Sequence, residues 1–266
     1  MTVVDLREPR EQSRIDRLPR RVRLRRPVLE RLAEHASARL PWPVLTTDPA
    51  DDDELRGLLD ATLRLPAELL DAFAVLSAPG VAVDLDLVLR RRDGREARAR
   101  AWHRLRDGRV TTVSTAGGDV ELGWSDDTRW AAELTRFATV GPAQPQRRPD
   151  LRLPHELLLG LGEAVRRDRS DLVHALLARH PLSPEETTAA VRLHTAAQGR
   201  LQAVVSSPDT HRVGWVSWLR LPEGWLALTP YVERRGAAPI AMVRVHRVEA
   251  THLAGEVARL AMEVGP

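Results

Sequence analysis

Alternation of apolar and polar positions is clearest between residues 81 and 124. Val81, Val83, Leu85, Leu87 and Leu89 alternate with Ala82, Asp84 and Asp86, which is the period of a half-buried strand. Arg92-Asp93-Gly94 reads as a hairpin turn, because glycine accepts positive φ. In the return strand Ala97, Ala99 and Ala101 alternate with Arg98, Arg100 and Trp102. A second turn at Arg106-Asp107-Gly108 leads into a strand over 110–113, and a third at 116–119 into Val120, Leu122 and Trp124. Ser125 and Asp126 are then placed to cap a helix whose Trp130, Leu134 and Phe137 recur at helical spacing.

Upstream, Val28, Leu32 and Ala36 predict a short helix over 27–40. Leu40-Pro41-Trp42-Pro43 must be extended, since proline pushes its predecessor out of the helical region. Asp51, Asp52, Asp53 and Glu54 suit a helix start, followed by helix interrupted at Pro66 and stopped by Pro79-Gly80. The Pro-rich stretch 141–149 is a linker by composition. Helical segments follow at 154–167, 170–179 and 184–197, the last opened by Ser183-Pro184-Glu185-Glu186. Strands resume near Leu201.

The second strand set copies the first. Trp102-His-Arg-Leu-Arg-Asp-Gly-Arg-Val110 aligns with Trp218-Leu-Arg-Leu-Pro-Glu-Gly-Trp-Leu226, four of nine positions being identical. The same offset of 116 pairs Leu85, Leu87 and Leu89 with Leu201, Ala203 and Val205. Later the offset becomes 123, pairing Val120 and Leu122 with Val243 and Val245, and Trp130, Leu134 and Phe137 with Leu253, Val257 and Leu260. The seven extra residues fall around 232–239, which is expected to be a loop. A duplicated unit of this kind buries its apolar face against its own copy. The expected fold is therefore α+β: a pseudo-two-fold duplicated unit of antiparallel strands plus a closing helix, with a helical bundle. Its expected parts are an Arg-rich flexible arm (1–26), a first α/β half (27–140), a linker (141–153), and the bundle with the second half (154–266). The two halves are expected to form one compact domain.

Composition narrows function. Among 266 residues there is no cysteine, which removes disulfides, thiolate metal sites and thiol catalysis. No apolar run is long enough to cross a membrane, and the first residues lack the apolar core of a secretory signal, so a cytoplasmic location is expected. All 40 basic residues are arginine and the net charge is +3, so arginine abundance alone says little about partners. The arm holds nine arginines against four acids. That composition makes nucleic-acid binding the rival functional reading. The interspersed acids and missing aromatics make it a poor nucleic-acid surface.

Catalytic signatures are missing. None of the nine histidines stands in a metal-binding pair or an H-E-x-x-H frame. Gly160-Leu-Gly162 lacks the third glycine and the preceding strand of a dinucleotide loop. The Asp51 to Glu54 cluster is read as a solvated helix start rather than a metal site. No enzyme activity, cofactor or metal is expected. Six of seven tryptophans lie in the repeated units, and Trp215 and Trp218, three apart on one strand, must face opposite sides of the sheet. One of the two is expected in the core, and the other is a candidate binding anchor.

The layout resembles a known family. Its features are Leu40-Pro41-Trp42-Pro43 before an acidic helix, Asp107-Gly108-Arg109 in a strand set, and Leu153-Pro154-x-x-Leu157-Leu158 after a Pro-rich link. Gly199-Arg200 then opens a second strand set after a helical bundle. This is similar to the EspG family, cytosolic chaperones of type VII (ESX) secretion in actinobacteria. The resemblance implies a chaperone without enzymatic activity. It would bind the apolar helical tip of a PE/PPE-type secretion substrate, keep it soluble and guide it to export. Carried onto this chain, it points to strand positions Trp215, Trp218, Trp225 and Tyr231, and to Leu157 and Leu161 of the bundle, as partner-binding residues. The chain departs from the family in its Arg-rich arm, in Pro222 where the repeat has Arg106, and in Gly224-Trp225-Leu226. No membrane insertion is implied, and homodimerisation stays open.

Overall fold

The alternating segment at Val81 forms strand β2 (Val81–Arg90), and the segment at Leu201 forms β7 (Gly199–Ser206). The two pair antiparallel at the centre of the molecule. In the computed structural model, which describes residues 20–41, 65–91, 93–116, 119–140, 150–235 and 238–265, Asp86 lies opposite Gln202. Gln202 is the counterpart of Asp86 at the 116-residue offset, so the pseudo-two-fold axis passes through that pair.

Each half continues outward as a meander. From β2 run β3 (Glu96–Arg106), β4 (Arg109–Ala116) and β5 (Asp119–Asp126). From β7 run β8 (Val213–Leu221), β9 (Gly224–Arg235) and β10 (Ala238–Val248). Short turns force antiparallel pairing. Asp107 and Gly108 both adopt positive φ, as the tight Asp-Gly hairpin requires. Edge strands complete the sheet: β1 (Arg20–Arg25) on β5 and β6 (Leu151–Pro154) on β10. The result is one ten-stranded antiparallel sheet in the order β1-β5-β4-β3-β2-β7-β8-β9-β10-β6.

Seven α-helices are described. On one face, α3 (Trp130–Ala138) and α7 (Ala250–Val264) cross the axis and bury Val83, Leu85, Leu201 and Val205 beneath Leu134, Leu253 and Val257. We call this the closed face. On the opposite face α1 (Arg26–His35) and α2 (Ala67–Ser77) cover the first half, with Leu29, Leu32 and Phe73 packed on Trp102, Val113 and Leu122. There α4 (His155–Arg166), α5 (Ser170–Ala178) and α6 (Pro184–Thr195) cover the second half. α6 opens with the expected capping box: Glu186 N–H donates to Ser183 Oγ (3.1 Å) and Ser183 N–H to Glu186 Oε2 (2.8 Å).

Several expectations are corrected. Residues 20–25 of the Arg-rich arm form β1, because Val22 and Leu24 face the first-half core opposite Leu122 and Val120. Residues 151–153 of the expected linker belong to β6, with Leu151 and Leu153 buried. The extra residues around 232–239 lengthen the β9–β10 hairpin, whose ladder runs to Arg235 opposite Ala238. Neither Ser125 nor Asp126 caps α3 through its side chain; a 3₁₀ turn, Asp127–Arg129, leads in instead. Trp42, the Asp51 to Glu54 cluster and residues 1–19 and 141–149 lie outside the described residues.

The local match of Trp102 with Trp218 does not survive in space. Ala101 lies opposite Leu85, whereas Trp218 lies opposite Leu201, the counterpart of Leu85. The connection between Arg90 and Glu96 has five residues, and that between Ser206 and Val213 has six. One extra residue inverts every side chain on the following strand.

Candidate protein-docking saddle

Between the helices of the two halves, none of the described helices covers the centre of the second face. This saddle is lined by Asp84 and Asp86 of β2, Arg98 and Arg100 of β3, Gln202 and Val204 of β7, and Trp215 of β8. The period of two places these residues together, opposite the buried Leu85, Leu201 and Trp218. Val204 pairs with Trp215 and Val88 with Arg98, so arginine and tryptophan take equivalent places about the axis. Arg98 grips Asp86 through both carboxylate oxygens (2.6 and 2.8 Å), and that bond raises the guanidinium pKa further. Arg104 Nη1 donates to Asp84 Oδ1 at 2.7 Å. The depression is about 150 Å³, small and open for a metabolite site and suited to a protruding piece of another protein.

The predicted residues separate. Trp215 is 52% exposed on the saddle. Trp218 is fully buried, its indole N–H donating to Glu256 of α7 at 3.2 Å. Trp225 is also core: its indole N–H donates to Ala138 O at 2.9 Å, and Arg220 stacks above its ring. Leu157 and Leu161 are buried against β6 and β10. Tyr231 is half-buried on the outer part of β9. Of these six, Trp218, Trp225, Leu157 and Leu161 are corrected to core residues, because a period-two strand or a helix stripe turns them inward.

Val213, at the start of the strand range 213–218 to which the resemblance also points, is 67% exposed beside Trp215, on one face with it by the i, i+2 spacing. Within the helices of 154–197 the outward positions are Leu159, 61% exposed between Leu157 and Leu161, and Leu172, 42% exposed on α5, neither of which the sequence singled out. None of the α5 residues is buried, despite Leu172, Val173, Leu176 and Leu177. An all-apolar run gives no stripe by which to choose the outward position.

The glycine pair in α4 is a packing device. A Cβ at Gly160 would lie 3.1 Å from Leu176 of α5, and one at Gly162 would lie 3.0 Å from the His194 ring of α6. A larger cleft of about 360 Å³ lies between α2 and β4–β5, lined by Glu68, Asp71, Arg109, Thr111, Trp124 and Asp126, among others. Its Asp71 is ion-paired with Arg109, and Glu68 with Arg20. Among the described residues no cluster of three or more His, Asp or Glu could hold a metal ion, and no helix is long and apolar enough to cross a membrane. In β1, Arg21 meets Glu133 and Glu121, and Arg23 meets Asp119, so these cations are already engaged within the protein.

No known family profile and no curated protein sequence matches the chain. Among solved structures, the Mycobacterium tuberculosis type VII secretion system chaperone EspG5, determined in complex with a PE25–PPE41 dimer, superposes with a TM-score of 0.66. The match covers 93% of this chain and 97% of that one at 14% sequence identity. The chain thus has a fold similar to that of the type VII secretion chaperone EspG5.

Proposed function

We propose that this protein is a cytoplasmic chaperone that binds the apolar helical tip of a PE/PPE-type secretion substrate, keeps it soluble and targets it for export. The observation that carries the reading is the saddle: sheet that no described helix covers, carrying exposed Trp215 and Val213, on a scaffold like that of EspG5. An apolar helical tip laid between the two helical groups would cover Trp215, and outward leucines of α4 and α5 offer further contact area. Aromatic anchors of this kind dominate protein interfaces. Co-expression with PE/PPE-like pairs from the same genome, followed by size-exclusion chromatography, tests the proposal. A co-eluting pair that is lost with Trp215→Ala supports it. If no pair co-elutes or gains solubility, the reading fails.

A further inference from the structure

The two halves differ at one seam of the sheet. β3 and β4 pair along their full facing length, from Ala99 opposite Ala116 to Arg106 opposite Arg109. β8 and β9 pair only from Trp218 opposite Ala227 to Leu221 opposite Gly224. Among the described strands, β8 pairs before Trp218 with β7 alone, and β9 pairs beyond Ala227 with β10 alone. Among the described residues no other backbone hydrogen bond engages 213–217. The seam therefore opens into a notch beside Trp215.

The two banks of the notch are unlike. The β9 bank carries Pro230, Glu233 and Arg234, and proline and charge both deter strand addition. The β8 bank reads Val213-Gly214-Trp215-Val216-Ser217, with neither charge nor proline. It is also held in place: Val216 is buried on the closed face, and Leu260 of α7 fills the space beside Gly214. On the saddle face Val213 and Trp215 stand exposed at alternate positions, as a neighbouring strand's side chains require. A row of free amides and carbonyls along a rigid edge is complementary to an extended backbone.

We infer that the free edge of β8 accepts an extended, uncharged segment of the secreted partner as an added strand, beside the saddle that takes its helical tip. The identity of the donor rests on the chaperone reading; the edge itself does not. Backbone hydrogen bonds supply affinity, while Val213 and Trp215 select β-branched or aromatic residues at alternate positions of the segment.

The probe is a fluorescein-labelled peptide with a Thr-Val-Thr-Val-Thr-Val core and capped ends, added to the full chain. Hydrogen exchange at Val213, Trp215 and Ser217 is expected to slow roughly tenfold or more as the peptide saturates. Val213→Lys, at an exposed site, is expected to weaken the peptide roughly tenfold with unchanged melting temperature. A peptide with its interior amides N-methylated should not bind. Unchanged exchange over 213–217 at millimolar peptide, or equal binding of the methylated peptide, would overturn the inference. If the peptide pairs but no PE/PPE-like protein co-elutes, the chaperone reading falls and the strand-accepting edge stands. If such a pair co-elutes while 213–217 exchange as in the free protein, the edge inference falls alone.

Discussion

Trp102 and Trp218 occupy matching places in the sequence repeat yet lie on opposite faces of the sheet. Trp102 packs with Leu122 under α1 and α2, and Trp218 with Val257 under α7. The inversion places Trp215 at the position equivalent to Arg98, which turns one side of a charged saddle apolar. The duplication thus yields two halves with a common core and unlike surfaces.

That inversion separates stability from binding. Trp218→Ala removes a fully buried indole and is expected to destabilise by about 3–5 kcal/mol in chemical denaturation. Trp215→Ala should stay within about 0.5 kcal/mol of the parent in stability. Its expected effect on the proposed PE/PPE-type interaction is a loss of roughly 30-fold or more in affinity, read by calorimetry.

Two glycines should respond in opposite directions. A Cβ at Gly199 would sit 2.5 Å from the carbonyl oxygen of Val88, across the β2–β7 centre. Gly199→Ala should therefore cost about 1–3 kcal/mol. At Gly255, within α7, an added Cβ would meet nothing within 4 Å. Gly255→Ala should raise stability by about 0.5–1 kcal/mol. Urea midpoints at constant m-value distinguish the two outcomes.

Acid should weaken the fold through His103. This histidine is buried beneath the closed face, with Nδ1 3.1 Å from Thr112 Oγ1. Burial, assisted by Arg104 and Arg136, pushes its pKa down from 6.5 to about 3. Below pH 6.5 the unfolded chain binds a proton that the folded one refuses, so stability is fully present above that pH and falls toward pH 3. The slope from this one group approaches about 1.4 kcal/mol per pH unit. His194 is shifted the same way by its own burial. Unfolding measured between pH 5 and 6.5 should lose much of its slope in His103→Gln, and an unchanged slope would refute the assignment.

The capping box of α6 gives a local test. Ser183→Ala removes the acceptor for the Glu186 amide and should cost about 1 kcal/mol, with Ser183→Asp retaining most of it. Thermal melts of the three proteins suffice.

Period and duplication were legible because both are written locally. Alternation at 81–89 and 201–205, the Asp107-Gly108 turn and the Trp130, Leu134, Phe137 stripe each depend on neighbours in the chain. They specified antiparallel meanders closed by helices, and the 116-residue offset placed the symmetry axis. The tertiary structure decided which face each strand presents. Side-chain parity on β8 turns on a single residue in the connection 207–212, which no local pattern records. It also decided that Arg20–Arg25 and Leu151–Pro154 become edge strands, since their few apolar side chains acquire a face only once β5 and β10 exist beside them. The candidate site follows the same division. A tryptophan pair three apart on one strand put the two rings on opposite faces, and the register of β8 in the sheet left Trp215 the exposed one.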